Sequence, residues 1–240
     1  MQSDAMTLHG KSLLDYHNGD RSAEIILRRD DGFETVLPVS VFFRPESDFF
    51  PGESEAINQS KGHVLDIGAG SGIHSLVLQS RGLTVTAIDI DNNAVDIMID
   101  NGVKDARCAD VMQFQSGPYD TLFMLGHGIG MTENIEGLSL FLDHAANLVG
   151  KNGQLLINSV DVRQTDDPAN LKYHQANKSK GRYIGEVTIQ FEYKGELSPF
   201  FGWLHVDPQT LQKHAAIKNW ESEILYQDKD EEYLARLIYR

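Results

Sequence analysis

Val64-Leu65-Asp66-Ile67-Gly68-Ala69-Gly70-Ser71-Gly72 decides the reading of this chain. Residues 63–67 form a short apolar run, and Ile73, Leu76 and Val77 then follow at helical spacing until Gly82. The unit is therefore strand, glycine loop, helix. Glycines at such a junction let the backbone turn sharply and approach a ligand with no Cβ in the way. The amides that open the helix favour negative charge. A dinucleotide fingerprint, G-x-G-x-x-G, needs glycine where Ile73 stands. The pattern here is instead D-x-G-x-G-x-G, with Asp66 able to accept from loop amides or, through water, from an ammonium. A tight turn alone accounts for one or two glycines, not three alternating ones behind an acid.

Outward from the loop, short apolar runs alternate with helical patterns, as in a parallel α/β sheet. Strands are expected at 83–90, 106–109, 119–125 and 154–160. Helices are expected around Ala94, Val95, Met98 and Ile99, closed by Gly102, and over 138–149, stopped at Gly150 and Gly153. The second strand ends in Asp89-Ile90-Asp91. An acid there, roughly twenty residues past the loop, can take both hydroxyls of a ribose. Asp89 is preferred, because Asp91-Asn92-Asn93 reads as the cap of the next helix. The third strand ends in Asp110-Val111, where the carboxylate can accept from an adenine amine and Val111 can offer its backbone amide.

The flanks are β-rich. Residues 23–27 and 35–43 read as a hairpin, and 186–193 with 200–206 as another, turning near Lys194-Gly195-Glu196. A helix is expected over 211–217, after Pro208. A last hairpin pairs 223–226 with 233–239 across the charged turn 227–232. Neither of the first two hairpins is needed by an α/β core, so each needs a partner surface.

Of the 240 residues, 41% are apolar, which suits a packed domain with an elaboration rather than disorder. The net charge of -14 argues against nucleic acid, whose binders present a basic face. Cys108 is the one cysteine, which excludes a disulfide framework and points to a reducing cytoplasm. No apolar run approaches the ~18 residues of a membrane span, and residues 1–10 do not read as a signal peptide. No His-Glu-x-x-His or paired His/Cys spacing occurs, so no metal site is expected.

Taken together, Asp66 to Gly72, Asp89 and Asp110 resemble the class I S-adenosylmethionine (SAM)-dependent methyltransferases. They match the family's first motif, its ribose acid and its adenine acid. The resemblance implies an α/β, doubly wound seven-stranded sheet of order 3-2-1-4-5-7-6 with strand 7 antiparallel. It runs from about residue 55 to the C-terminus, with SAM as cofactor, and implies that Gly68, Ala69, Gly70, Ser71, Gly72, Ile90, Val111, Leu125 and Gly126 line the cofactor site. On this reading, residues 1–54 are an N-terminal helix and β-hairpin cap. Residues 55–240 are the SAM-binding domain, with a β-rich insertion at about 184–206. Leu13-Leu14-Asp15-Tyr16, Leu37-Pro38 with Phe42-Phe43, and Glu232-Tyr233-Leu234-Ala235 resemble a subgroup of small methyltransferases of unassigned substrate. That subgroup implies Asn-Gly-Ile-Gly after strand 4, where this chain has His127-Gly128-Ile129-Gly130.

Methyl transfer from a sulfonium is an in-line displacement, so the protein mainly positions and desolvates. A base is needed only if the acceptor must lose a proton. Neither Asp/Asn-Pro-Pro-Tyr nor Pro-Cys, the marks of base- and amide-methylating or cytosine-C5 relatives, follows strand 4. His127 is the catalytic candidate: a base, a hydrogen-bonding core histidine, or a wall of the cofactor site. Asp161 and Arg163 either recognise a polar acceptor or form an ion pair. Phe42, Phe43, Phe49 and Phe50 line a pocket or fill a core. The two hairpins, with Trp203 and His205, are expected to join over the acceptor side or to form a homodimer interface. The function expected is methyl transfer to a small-molecule acceptor. The alternatives are a non-catalytic SAM-binding or protein-interacting member of the same fold, and a nicotinamide oxidoreductase, against which the missing glycine weighs.

Overall fold

The computed structural model describes residues 3–229 and 232–240. Met1, Gln2 and, in the expected turn 227–232, Asp230 and Glu231 lie outside the described residues. In chain order the elements are α1 (Ser3–His17), β1 (Glu24–Arg29), β2 (Glu34–Pro38), α2 (Pro51–Gln59), β3 (His63–Ile67), α3 (Ile73–Ser80), β4 (Thr84–Asp89), α4 (Asn92–Asp100), β5 (Ala106–Cys108) and β6 (Tyr119–Met124). There follow α5 (Ile135–Leu148), β7 (Val149–Val160), α6 (Pro168–Ser179), β8 (Glu186–Tyr193), β9 (Glu196–Leu197), β10 (Phe201–Leu204), α7 (Pro208–Ile217), β11 (Trp220–Gln227) and β12 (Glu232–Tyr239).

Seven strands form one sheet in the order β5-β4-β3-β6-β7-β12-β11. Strands β3 to β7 run parallel, and β12 is antiparallel to β7 and β11. This is the order the resemblance implied. Side chains alternate across a strand, so Leu65, Ile67, Leu122, Met124, Leu155 and Ile157 pack under α5 and α7. On the other face Val64, Phe123, Leu156 and Leu234 join Ile57 of α2 and Leu78 of α3. Both faces are covered, as parallel strands require.

The second sheet runs β10-β8-β1-β2, with β9 on β8. Ile26 pairs with Glu192 and Arg29 with Ile189, so the two β-rich additions are one sheet. Its apolar face, with Ile25, Ile189, Phe191 and Phe201, packs on Leu8 and Leu13 of α1. Each such side chain removed from water contributes about 1.5–3 kcal/mol, and Ala94 and Ile97 of α4 join the cluster, which ties the small sheet and α1 to the large sheet.

Three expectations need correction. The strand expected over 35–43 ends at Pro38, which has no N–H to continue a ladder, and Val39–Phe43 turns into a 3-10 helix. The helix expected over 138–149 starts at Ile135, where the Asn134 side chain caps the Gly137 amide at 2.8 Å. Finally, Gly150 and Gly153 do not separate helix from strand. β7 already begins at Val149, opposite Tyr119, and a register irregularity against β6 absorbs the glycines. Helices α2 and α6 carried no expectation, and α2 spans both sides of residue 54.

Candidate functional site

The parallel strands β3, β4 and β6 all end at one edge of the large sheet, and the glycine loop crosses that edge. Gly68, Gly70 and Gly72 have φ of 70°, 57° and 81°, a region that favours glycine. Gly72 caps α3 and leaves no room for a side chain, since a Cβ there would fall 2.8 Å from Val103 Cγ2. A Cβ on Gly70 would meet nothing within 4 Å. The loop therefore presents an open shelf of backbone at Gly70, the form of surface a close-lying ligand needs.

Asp66 is buried in β3, and its Oδ2 accepts from Ser75 Oγ at 2.6 Å. Burial pushes its carboxyl above the usual range. The loop amides go elsewhere. Those of Gly68 and Ala69 donate to the Ile88 carbonyl at 2.9 and 3.1 Å, and that of Gly70 to Asp89 Oδ2 at 2.9 Å. Asp66 thus ties the loop to α3 through a hydroxyl rather than through the amides. Ser71 is buried, and its hydroxyl donates to the Phe42 carbonyl, which brings the Val39–Phe43 turn onto the loop.

At the end of β4, Asp89 Oδ1 also accepts from the Asp91 amide at 3.0 Å. Burial drives its carboxyl up to about 6 despite these amides, and the neighbouring Asp91 charge adds to the rise. Asp91 caps α4 by accepting from the Asn93 amide at 2.8 Å. Ile90 is half-buried beside Asp89, and its carbonyl lies 3.5 Å from Cys108 Sγ. Past β5, Asp110 Oδ1 accepts from the Met112 amide at 2.9 Å, and Val111 is buried. Asp89 and Asp110 therefore stand at the ends of adjacent strands, beside the loop.

After β6, Leu125 is buried and Gly126 exposed with φ 63°. His127 follows with φ 57° and ψ 28°, the left-handed region that a bulky residue seldom enters. Its amide donates to Asn158 Oδ1 at 3.0 Å. Its Nε2 lies 3.6 Å from Glu232 Oε1, and its ring centroid 5.9 Å from that of His205. Burial holds the His205 imidazole down at about 3. The Glu232 carboxyl is held below its usual range, first by the facing His127 imidazole.

Two further groups follow no sequence expectation. Glu53 accepts from Arg44 at 2.8 Å, from His74 Nε2 at 3.0 Å and from the Phe50 amide at 2.7 Å. Arg44, Phe50 and Glu53 lie within ten residues of one another but His74 comes from α3, and the four fall on no common period. Glu232 opens β12, which is antiparallel, so its first residue rather than its last lies at the ligand edge. That reversal was the available signal. Asp161 and Arg163 form an ion pair, with Asp161 buried and Arg163 also reaching Asp207. Phe42 packs edge-on against His9, Phe43 on Tyr16 and Phe49 on His74, while Phe50 lies under the Arg44 guanidinium.

The second sheet stands over the same edge. A Cβ on Gly130 would fall 1.9 Å from Trp203 Cε2, and one on Gly202 2.9 Å from Glu133 Cβ, so β10 lies tightly on the turn after β6.

A family model described as a methyltransferase domain matches residues 42–201. No curated protein matches the chain. Among solved structures, a SAM-dependent methyltransferase from Bacteroides fragilis, in complex with S-adenosyl-L-homocysteine, is 30% identical with a TM-score of 0.84. The match covers 99% of this chain and 96% of that one. A SAM-dependent methyltransferase from Methanosarcina mazei (18% identity, TM-score 0.59, 80% and 96% covered) and a sugar N-methyltransferase from a Streptoalloteichus species (14%, 0.57, 84% and 92%) share the fold. With its strand order, its glycine loop and its two strand-end acids, the chain belongs to the class I SAM-dependent methyltransferases.

Proposed function

We propose that this protein transfers the methyl group of SAM to a small-molecule acceptor. One observation carries the cofactor side: the Asp89 carboxylate stands at the end of β4, 2.9 Å from the Gly70 amide, beside a stretch of loop where even an added Cβ would meet nothing within 4 Å. A carboxylate oxygen accepts more than one hydrogen bond, so two ribose hydroxyls can add to the amides it already takes. Asp89 then holds the ribose, Asp110 and Val111 take the adenine, and Gly68 to Gly72, Ile90, Leu125 and Gly126 line the rest. The bound donor supplies an already activated methyl group. The residues' task is to orient it and exclude water.

The acceptor side is the space beside His127. The small sheet and the turn Val39–Phe43 reach this edge, through Trp203 on Gly130 and the Phe42 carbonyl on Ser71, which favours a small acceptor over a protein or nucleic acid. A lone, unpaired Cys108 agrees with a reducing cytoplasm, and among the described residues no helix is long and apolar enough to cross a membrane.

The test is calorimetric titration with SAM and with a nicotinamide dinucleotide, then labelled-methyl transfer from SAM into a metabolite extract. SAM binding, no dinucleotide binding, and label in a small product are expected. Binding without transfer would support a non-catalytic SAM-binding protein instead.

A further inference from the structure

Asn158 makes two hydrogen bonds of opposite sense. Its Oδ1 accepts from the backbone amide of His127 at 3.0 Å, and its Nδ2 donates to Glu232 Oε1 at 2.6 Å. Only 4% of Asn158 is exposed, so it is a fixed bridge. The same Glu232 oxygen lies 3.6 Å from His127 Nε2. One buried amide therefore holds the backbone of the histidine with one end and the carboxylate facing its ring with the other. The bond from the His127 amide to Asn158 also fixes the left-handed turn at His127.

We propose that Glu232 and Asn158 are positioning residues for His127, and that His127 removes a proton from the methyl acceptor. The acceptor is then a hydroxyl, or a primary or secondary amine that attacks in its neutral form and sheds a proton as the new bond forms. The proposal rests on the methyl-transfer reading above. With Nε2–H directed at the Glu232 carboxylate, the lone pair lies on Nδ1, because a neutral imidazole has one donor and one acceptor nitrogen. As the acceptor's lone pair forms its bond to the methyl carbon, the carbon–sulfur bond breaks and its electron pair goes to sulfur. The acceptor's proton goes to Nδ1, and the imidazolium so formed is paired with Glu232. The proton afterwards leaves to water. An acceptor with no proton to lose, such as a thioether or a tertiary amine, needs none of this. The groups facing the pair fit the assignment. Burial keeps the neighbouring His205 imidazole neutral, with its Nδ1 lacking a partner among the described residues, and Arg44 lends positive charge on the Glu232 side.

The experiment uses full-length protein saturated with S-adenosyl-L-homocysteine, labelled with nitrogen-15 at histidine. NMR should show His127 protonated at Nε2 and bare at Nδ1. Glu232→Gln, which keeps the shape and removes the charge, should mix the two tautomers and leave S-adenosyl-L-homocysteine affinity within a few-fold. It should also slow labelled-methyl transfer into the extract by about 10–100-fold. His127→Gln should slow transfer similarly and serves as a second variant. Label should be recovered on oxygen or on a former primary or secondary amine. An Nδ1–H tautomer in the wild type, wild-type transfer by Glu232→Gln, or label on a thioether or tertiary amine would overturn the proposal. If the wild type binds S-adenosyl-L-homocysteine but transfers nothing, methyl transfer itself falls, and the base role with it. If it does not bind at all, the cofactor site is wrong.

Discussion

Asp89 sits where burial resists the charge that its proposed role requires. Its carboxyl is raised from 3.8 to about 6. Between those values the folded chain holds a proton that the unfolded chain has released. The resulting stabilisation is full below 3.8 and is lost as pH rises through about 6. At neutral pH the free protein therefore carries an under-solvated carboxylate. Asp89→Asn removes the titrating group, so the loss of stability of the free protein between pH 3.8 and about 6 should vanish, read by urea denaturation across that range. The same change should weaken S-adenosyl-L-homocysteine binding by about 2–3 kcal/mol, since charge-assisted hydrogen bonds are the strong ones. In the wild type, affinity should fall as pH drops below about 6, and in Asp89→Asn that pH dependence should vanish. Asp91→Ala should cost helix stability by about 1 kcal/mol through loss of the α4 cap, with little effect on affinity. Equal affinity losses at the two positions would assign the ribose to the wrong acid.

Between elements, contacts without slack decide how the second sheet meets the first. Gly130 faces the Trp203 indole, where a Cβ would fall 1.9 Å from a ring carbon, and Gly10 of α1 faces the Asp91 side chain, where it would fall 2.0 Å from Oδ1. Gly130→Ala must push the indole away. Overpacking of this kind costs about 1–3 kcal/mol, so urea denaturation should show that loss together with an altered near-ultraviolet spectrum of Trp203. Unchanged stability would mean that β10 rests loosely on the turn. Contacts of this kind could not be read in advance, because Gly130 in sequence is one glycine among several. What was legible was local: β3 and β6 are apolar runs bounded by glycines, β4 is one that follows Gly82 and ends at Asp89, and the hairpins carry alternation with turn residues. Helix α6 was not legible. Asn177, whose amide donates to the carbonyls of Ile184 and Glu186, faces the interior where a periodic pattern calls for an apolar residue. Only Asp167-Pro168, a cap followed by proline at the first turn, marked its start. Glu232 was hidden for a topological reason, since a strand-end rule tuned to parallel strands looks at the wrong end of an antiparallel one.

Across the whole molecule, two sheets meet at one edge, joined by α4, whose Ala94 and Ile97 pack into the small sheet's cluster, and by Leu204 of β10 in the large sheet's core, and the proposed cofactor site lies at that meeting. The large sheet supplies the glycine loop and the strand-end acids. The small sheet and α1 reach it through Phe42 on Ser71, Gly10 on Asp91 and Trp203 on Gly130. Those three contacts border Gly68–Gly72, Asp89 and His127, the positions assigned to donor and acceptor. A ligand held between two bodies should stabilise both, whereas one resting on the large sheet alone should leave the small sheet as it was. S-adenosyl-L-homocysteine at about 100 times its dissociation constant should add about 2.7 kcal/mol to stability. For a chain of this size that raises Tm by about 5–10 °C. Hydrogen exchange should then slow in α1, in Val39–Phe43, in β10 and in the loops after β3, β4 and β6. It should change little in α7 and β11, which pack at the far end of the large sheet. Protection confined to the loops of the large sheet, with α1 and β10 exchanging as before, would refute the covering role of the small sheet and would reopen acceptors as large as proteins.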